Sequence, residues 1–225
     1  FPFSKDFVAR FSESHPDVLE RYKQLYSTIE GARGALQHTD FDEDLDETVL
    51  ATALIERLVS IPPGQEAANE FHSYMVGALE FIFWPNLIYP IKETPIHEGR
   101  KRIDVTYTNA ANSGFFHRTH SAHEIASNMV MVECKNYSKD PANPELDQLS
   151  GRFSINRGKL GLLVYRTVSD YERLLMRCRD TAADGRGFIQ PLGEEQVTEF
   201  LALIASRERS SIDGRLQDLL QVLIT

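Results

Sequence analysis

Met129-Val130-Met131-Val132-Glu133-Cys134-Lys135 (MVMVECK, residues 129–135) is the stretch on which the reading of this chain turns. Its apolar run has the length and composition of a buried strand, expected over 128–135. Alternate side chains of a strand share a face, so Glu133 and Lys135 project together and Cys134 points the other way. A carboxylate and an ammonium at the end of a buried strand are costly unless they are paired or used.

The neighbouring sequence supplies the rest of a sheet. Strands are expected at 87–92 (LIYPIK) and 102–108 (RIDVTYT), after a helix over 66–83 whose Phe71, Met75, Ala78, Leu79 and Ile82 form one stripe. Trp84-Pro85-Asn86 ends that helix. A helix at 144–153, an apolar strand at 160–166 (LGLLVYR), a helix at 169–182 and a strand at 187–192 follow, then helices at 193–206 and 213–223. Three strands before the first crossover predict a mixed sheet between helices, an α/β sandwich.

The first third has a different texture. Residues 4–37 read as helical from Phe7, Phe11, Val18, Leu19, Tyr22, Leu25, Tyr26 and Ile29. DFDEDLDE, residues 40–47, begins like a calcium loop, but no glycine stands at the sixth position and Ala51 stands at the twelfth. It reads instead as the acidic start of a helix that begins near Asp46 and is stopped by Ile61-Pro62-Pro63-Gly64. The expected division is therefore a helical N-terminal appendage, 1–63, and an α/β domain, 64–225.

Composition narrows the class. With 42% hydrophobic and 25% charged residues the chain is neither disordered nor fibrous. No apolar run approaches the ~18 residues of a membrane helix, so no membrane association is expected. Two cysteines, Cys134 and Cys178, build neither a disulfide framework nor a zinc knuckle, which suits the cytoplasm. The chain begins at Phe1, and so reads as trimmed or as a piece of something longer. Residues 1–80 carry 15 acidic against 6 basic side chains, which is the whole net charge of −9. A pI near 5.3 argues against a general nucleic-acid coater. It leaves room for a local basic groove, because 150–186 holds eight Arg/Lys against four Asp/Glu.

Chemistry concentrates around the central strands. Asp104 lies between Ile103 and Val105, which take the opposite face, and adjacent strands would bring it near Glu133. Two close carboxylates repel, and a hard divalent cation is the usual cure. Mg²⁺ favours one or two carboxylates with waters and phosphate oxygens. A neighbouring lysine orients water or neutralises charge on a phosphate. Arg102, Arg152, Arg157 and Lys159 are candidates to line a DNA backbone. His117, His120 and His123 lie in the long connection 109–127 with Phe115 and Phe116. They suit zinc if helical, although an ordinary polar loop is the favoured reading, and the connection's length suggests a flap near the active site. No G-x-S-x-G, H-E-x-x-H, Walker A or G-x-G-x-x-G motif occurs.

Asp104, then 28 residues, then Glu133-x-Lys135 on consecutive strands after a helix resembles the PD-(D/E)xK nuclease superfamily, with the texture of its Mrr-like and RecB-like branches over about 66–192. The resemblance implies a restriction-endonuclease-like α/β/α sandwich. It further implies metal held by Asp104, Glu133 and the Cys134 carbonyl, and water activated by Lys135. Gln148 matches the glutamine that these branches place on the next helix. An acid of the first helix often completes the metal site. Glu70 is preferred to Glu80, because the helix N-terminus should lie at the Asp104 end of the sheet. Ile103 replaces the family proline, and His72 stands where many Mrr-like sequences have the acid. The implied activity is Mg²⁺-dependent (Mn²⁺ substituting) hydrolysis of double-stranded DNA by a bacterial restriction or anti-phage effector. It would act as a homodimer or higher oligomer, or within a larger defence complex. A catalytically inactive binding or scaffolding module is the alternative.

Overall fold

The computed structural model describes residues 46–96, 101–123, 125–136 and 140–224, with the backbone alone for 93–96 and 101–104. The helix expected over 4–37 and most of the acidic run lie outside the described residues. The described part belongs to a compact unit, Asp44–Thr225.

Its elements are α1 (Glu47–Ser60), α2 (Ala68–Phe83), β1 (Leu87–Ile96), β2 (Lys101–Asn109), α3 (Gly114–Ser121) and β3 (Met129–Lys135). After these come α4 (Asn143–Ser150), β4 (Leu160–Tyr165), α5 (Tyr171–Ala183), β5 (Phe188–Gly193), α6 (Glu194–Ala205) and α7 (Ser211–Ile224). The five strands form one open mixed sheet in the order β1-β2-β3-β4-β5. The first two pairings are antiparallel and the last two parallel. The α/β class expected from the sequence is therefore the one observed.

Every residue of β4 is buried, as a parallel strand covered on both faces requires. On one face Tyr107 is fully buried and donates from its Oη to the Val76 carbonyl of α2 at 2.9 Å. The other face, with Glu133, Leu163 and Tyr165, lies under α4 and α5. There Gly161 permits a close approach: a Cβ on it would meet Phe153 Cζ at 2.9 Å and Leu149 Cδ2 at 3.0 Å. Gly187, at φ +129°, opens the other side of the Phe153 ring, which a Cβ there would strike at 2.4 Å. The turn after α4 is thus pressed onto the sheet.

Two expectations are corrected. The boundary at 63 falls inside the compact unit, because α1 is integral to it. Ala51 and Leu58 are fully buried, and two arginines clamp the helix at its ends. Arg209 pairs with Glu47 at 3.2 Å and donates to the Phe81 and Ile82 carbonyls that end α2. Arg166 donates to the Leu58 carbonyl, pairs with Glu194 at 3.1 Å and lies over the Phe71 ring at 5.5 Å. The Pro62-Pro63-Gly64 punctuation is a turn between two packed helices. Asp46 does cap α1, accepting from Thr48 N at 2.9 Å, and those bonds hold its carboxyl below the usual range.

The connection 109–127 is not a flap beside Glu133. It contains α3, whose Phe115 and Phe116 are buried, with Phe116 edge-on to Phe83 at 5.3 Å. Antiparallel pairing makes it leave β2 at Asn109, beside the start of β3 at Met129. That is four residues, about 13 Å, from Glu133 along the strand.

Leu58→Ala should cost about 2–5 kcal/mol of the unit's global stability. Urea unfolding followed by Trp84, the single tryptophan, checks this. An unmoved midpoint would make α1 an appendage after all.

Candidate active site

β3 brings its charged pair out at its C-terminal end. Glu133 is fully buried, and Lys135 Nζ lies 2.7 Å from its Oε1. The second oxygen, Oε2, is held by Arg152 Nη1. Arg152 is only 2% exposed, which makes it the largest fully buried side chain among the described residues. Its backbone is fixed as well. Its amide donates to Leu149 O at 3.1 Å, and its carbonyl accepts from Arg157 Nε at 3.1 Å and Nη2 at 2.9 Å. The glycine-permitted seat of Phe153 carries Arg152 to Glu133.

Asp104 lies on β2, the strand beside β3. Val105 pairs with Val132 and Thr106 with Met131, which shares a strand face with Glu133, and the pairing ends at Val105, one residue short of Asp104. Thr106, two residues on and on that same face, is 5% exposed, and its Oγ1 has no hydrogen-bond partner among the described residues. Cys134 packs on the opposite side against the core. Cys134 and Cys178 are not joined in a disulfide, and burial pushes the Cys178 thiol up to about 12.

The remaining candidates are scattered. Gln148 is exposed on α4, four residues before Arg152. Arg152 itself, expected to contact phosphate, is instead the buried counter-ion of Glu133. Arg157 directs its guanidinium to the Arg152 carbonyl. Lys159 donates to Gly185 O at 3.1 Å at the N-terminal end of β4, away from Glu133. The Arg102 side chain lies outside the description. Glu70 sits in the first turn of α2, and the preceding turn is tied to the residue after β3: Gly64 N donates to Asn136 O at 2.8 Å. The expected end of the sheet is therefore the observed one, but Glu70 is paired with Arg57 at 2.5 Å. Glu80 lies near the far end of α2.

The histidines do not converge. His120 Nδ1 accepts from Ser127 N at 3.3 Å, while His123 faces Gln217 at 3.3 Å. Among the described residues no group of three His, Cys, Asp or Glu side chains is disposed to hold a metal.

Arg152 and Thr106 were not picked out by sequence as partners of this site. The sequence carries no clear signal for the burial of Arg152, which stands in a largely polar stretch, Ser150-Gly151-Arg152-Phe153-Ser154.

Comparison with known proteins adds little. No protein-family model matches the chain. No solved structure matches it. Over 113 residues it is 30% identical to the putative transposon gamma-delta 80.3 kDa protein of Escherichia coli (strain K12), a match that takes in 50% of this chain and 16% of that protein.

Removing one member of a buried ion pair strands its partner. Glu133→Ala should therefore cost about 3–5 kcal/mol in metal-free protein. Glu70→Ala, which breaks a half-exposed pair, should cost about 0–1 kcal/mol. Chemical denaturation in EDTA distinguishes the two; equal small effects would mean that Glu133 is not held as described.

Proposed function

We propose that this chain carries a metal-dependent DNA endonuclease site of the PD-(D/E)xK type, built on Asp104, Glu133 and Lys135. The observation that supports it most is the pairing of Lys135, 2.7 Å from the Glu133 carboxylate, on a strand that neighbours the one carrying Asp104. Two acids and an ammonium on neighbouring strands are the groups that phosphodiester hydrolysis needs. The partial likeness to a transposon protein favours a setting in which DNA is handled. Cutting both strands of a duplex calls for two sites, hence a homodimer or higher oligomer, and a defence effector, alone or within a larger complex, is the setting the sequence suggests. No helix among the described residues is long and apolar enough to cross a membrane. The two-cysteine composition favours a cytoplasmic site of action.

The donors suit a hard divalent ion in type: carboxylates from Asp104 and Glu133, with the Cys134 carbonyl. In occupancy they suit it only once Arg152 has left Glu133, since both carboxylate oxygens are engaged. A bound Mg²⁺ or Mn²⁺ would supply Lewis acidity at the phosphorus. Lys135 would hold a water or the non-bridging oxygen, and Gln148, exposed on α4 four residues before Arg152, would orient the lysine or a phosphate.

The closed state of Glu133 is also what favours a second reading, a non-catalytic binding or scaffolding module. Incubation of the full chain with plasmid DNA and Mg²⁺ separates them. Nicking or linearisation abolished by EDTA is expected, with Lys135→Ala and Asp104→Ala each reducing the rate about 100-fold or more. Intact plasmid under all conditions, or full activity in Lys135→Ala, would sink the nuclease reading.

A further inference from the structure

A carboxylate has two oxygens, and in Glu133 Lys135 Nζ stands at one and Arg152 Nη1 at the other. Lys135 is 14% exposed in its side chain and Arg152 only 2%. The lysine is the group at the opening, and the arginine sits behind it on the turn after α4. Two cations converge on this carboxylate. A divalent cation arriving there would meet a guanidinium already neutralising the oxygen it needs, and like charges at contact in a dry site repel strongly.

We propose that Arg152 is the residue that sets the affinity of this site for a divalent cation, because the guanidinium and the cation exclude each other at Glu133 Oε2. This rests on the nuclease reading. Arg152 acts through Glu133 and not on the substrate, so it is a positioning residue. Its backbone is anchored by Leu149 and Arg157. Release is therefore a swing of the side chain alone. Once freed, an arginine offers a planar set of donors suited to phosphate oxygens, so occupation of the site by cation would expose a phosphate-binding group that was buried before.

Two measurements on the full chain test this. The first is calorimetric titration with Mn²⁺ of the wild type, Arg152→Gln and Glu133→Gln. Arg152→Gln should bind Mn²⁺ at least about tenfold more tightly than the wild type, and Glu133→Gln should lose binding. Equal or weaker binding by Arg152→Gln overturns the proposal. The second needs no substitution and stands even if Arg152→Gln fails to fold: labelling of wild-type arginines with a dicarbonyl reagent, read by peptide mass. Arg152 should be protected in EDTA and labelled in saturating Mg²⁺, with Arg166 protected in both. Protection of Arg152 under both conditions in protein that binds the ion overturns the proposal. The two levels of failure are distinguishable. Ion binding that needs Glu133 but ignores Arg152 removes this inference and leaves the nuclease reading standing. No ion binding by any form removes both.

Discussion

A carboxylate without access to water has to carry its counter-charges with it, and the fold around β3 is arranged to bring them to Glu133. The requirement reaches well beyond one ion pair. Arg152 arrives only because the turn after α4 lies tight against the sheet. That contact exists because positions 161 and 187 have no Cβ, so Phe153 fits between them. Arg157 then fixes the turn by its two hydrogen bonds to the Arg152 carbonyl. Such a cluster contributes little to net stability relative to an apolar core. It does make the site intolerant of losing any one member, and it keeps a charged group in a position that burial alone would have filled with leucine.

The same device recurs at larger scale. Arg166 sets its guanidinium on one main-chain carbonyl and Arg209 on two, and each also meets an acid and a ring face. Burial lowers the Arg209 pKa from its ordinary value, and the Glu47 carboxylate works against that shift. These two residues tie α1 to α2 and to α6, and they explain why the helix joins the compact unit despite the proline-glycine break that follows it. Arg166 and the part-buried Arg209 thus reinforce a joint that Ala51 and Leu58 also pack.

This use of arginine decides what was legible beforehand. The succession of strands along the chain followed from apolar runs: the six-residue interior of β4 has no other use, and the alternation in β3 separated Glu133 and Lys135 from Cys134. That the strand carrying Asp104 lies beside β3 was legible too, because consecutive strands usually pair. The burial of Arg152 was not, since charge predicts exposure and only the distant Glu133 reverses it. α3 was hidden because HRTHSAH looks like a loop, and Phe115 and Phe116 reveal their role only when Phe83 is beside them. The break at 62–64 misled for a related reason: Pro-Pro-Gly stops a helix whether or not a domain ends there.

The differing exposures of the two cations also define a direction. With Arg152 sealed and Lys135 partly open, the way to Glu133 runs past Lys135, at the C-terminal end of β3. That end is bordered by the turn 62–67, which Asn136 holds by its Nδ2 bonds to the Pro62 and Gly64 carbonyls at 3.0 and 2.8 Å. The helix that follows begins with Glu70 in its first turn. Among the described residues, Lys135 and the start of an acid-bearing helix therefore border the same end of β3. The Glu70 carboxylate is paired with Arg57, 2.5 Å away. On this geometry Arg57 and Glu70 neutralise each other at the border of that end, while Lys135 and Arg152 both face Glu133.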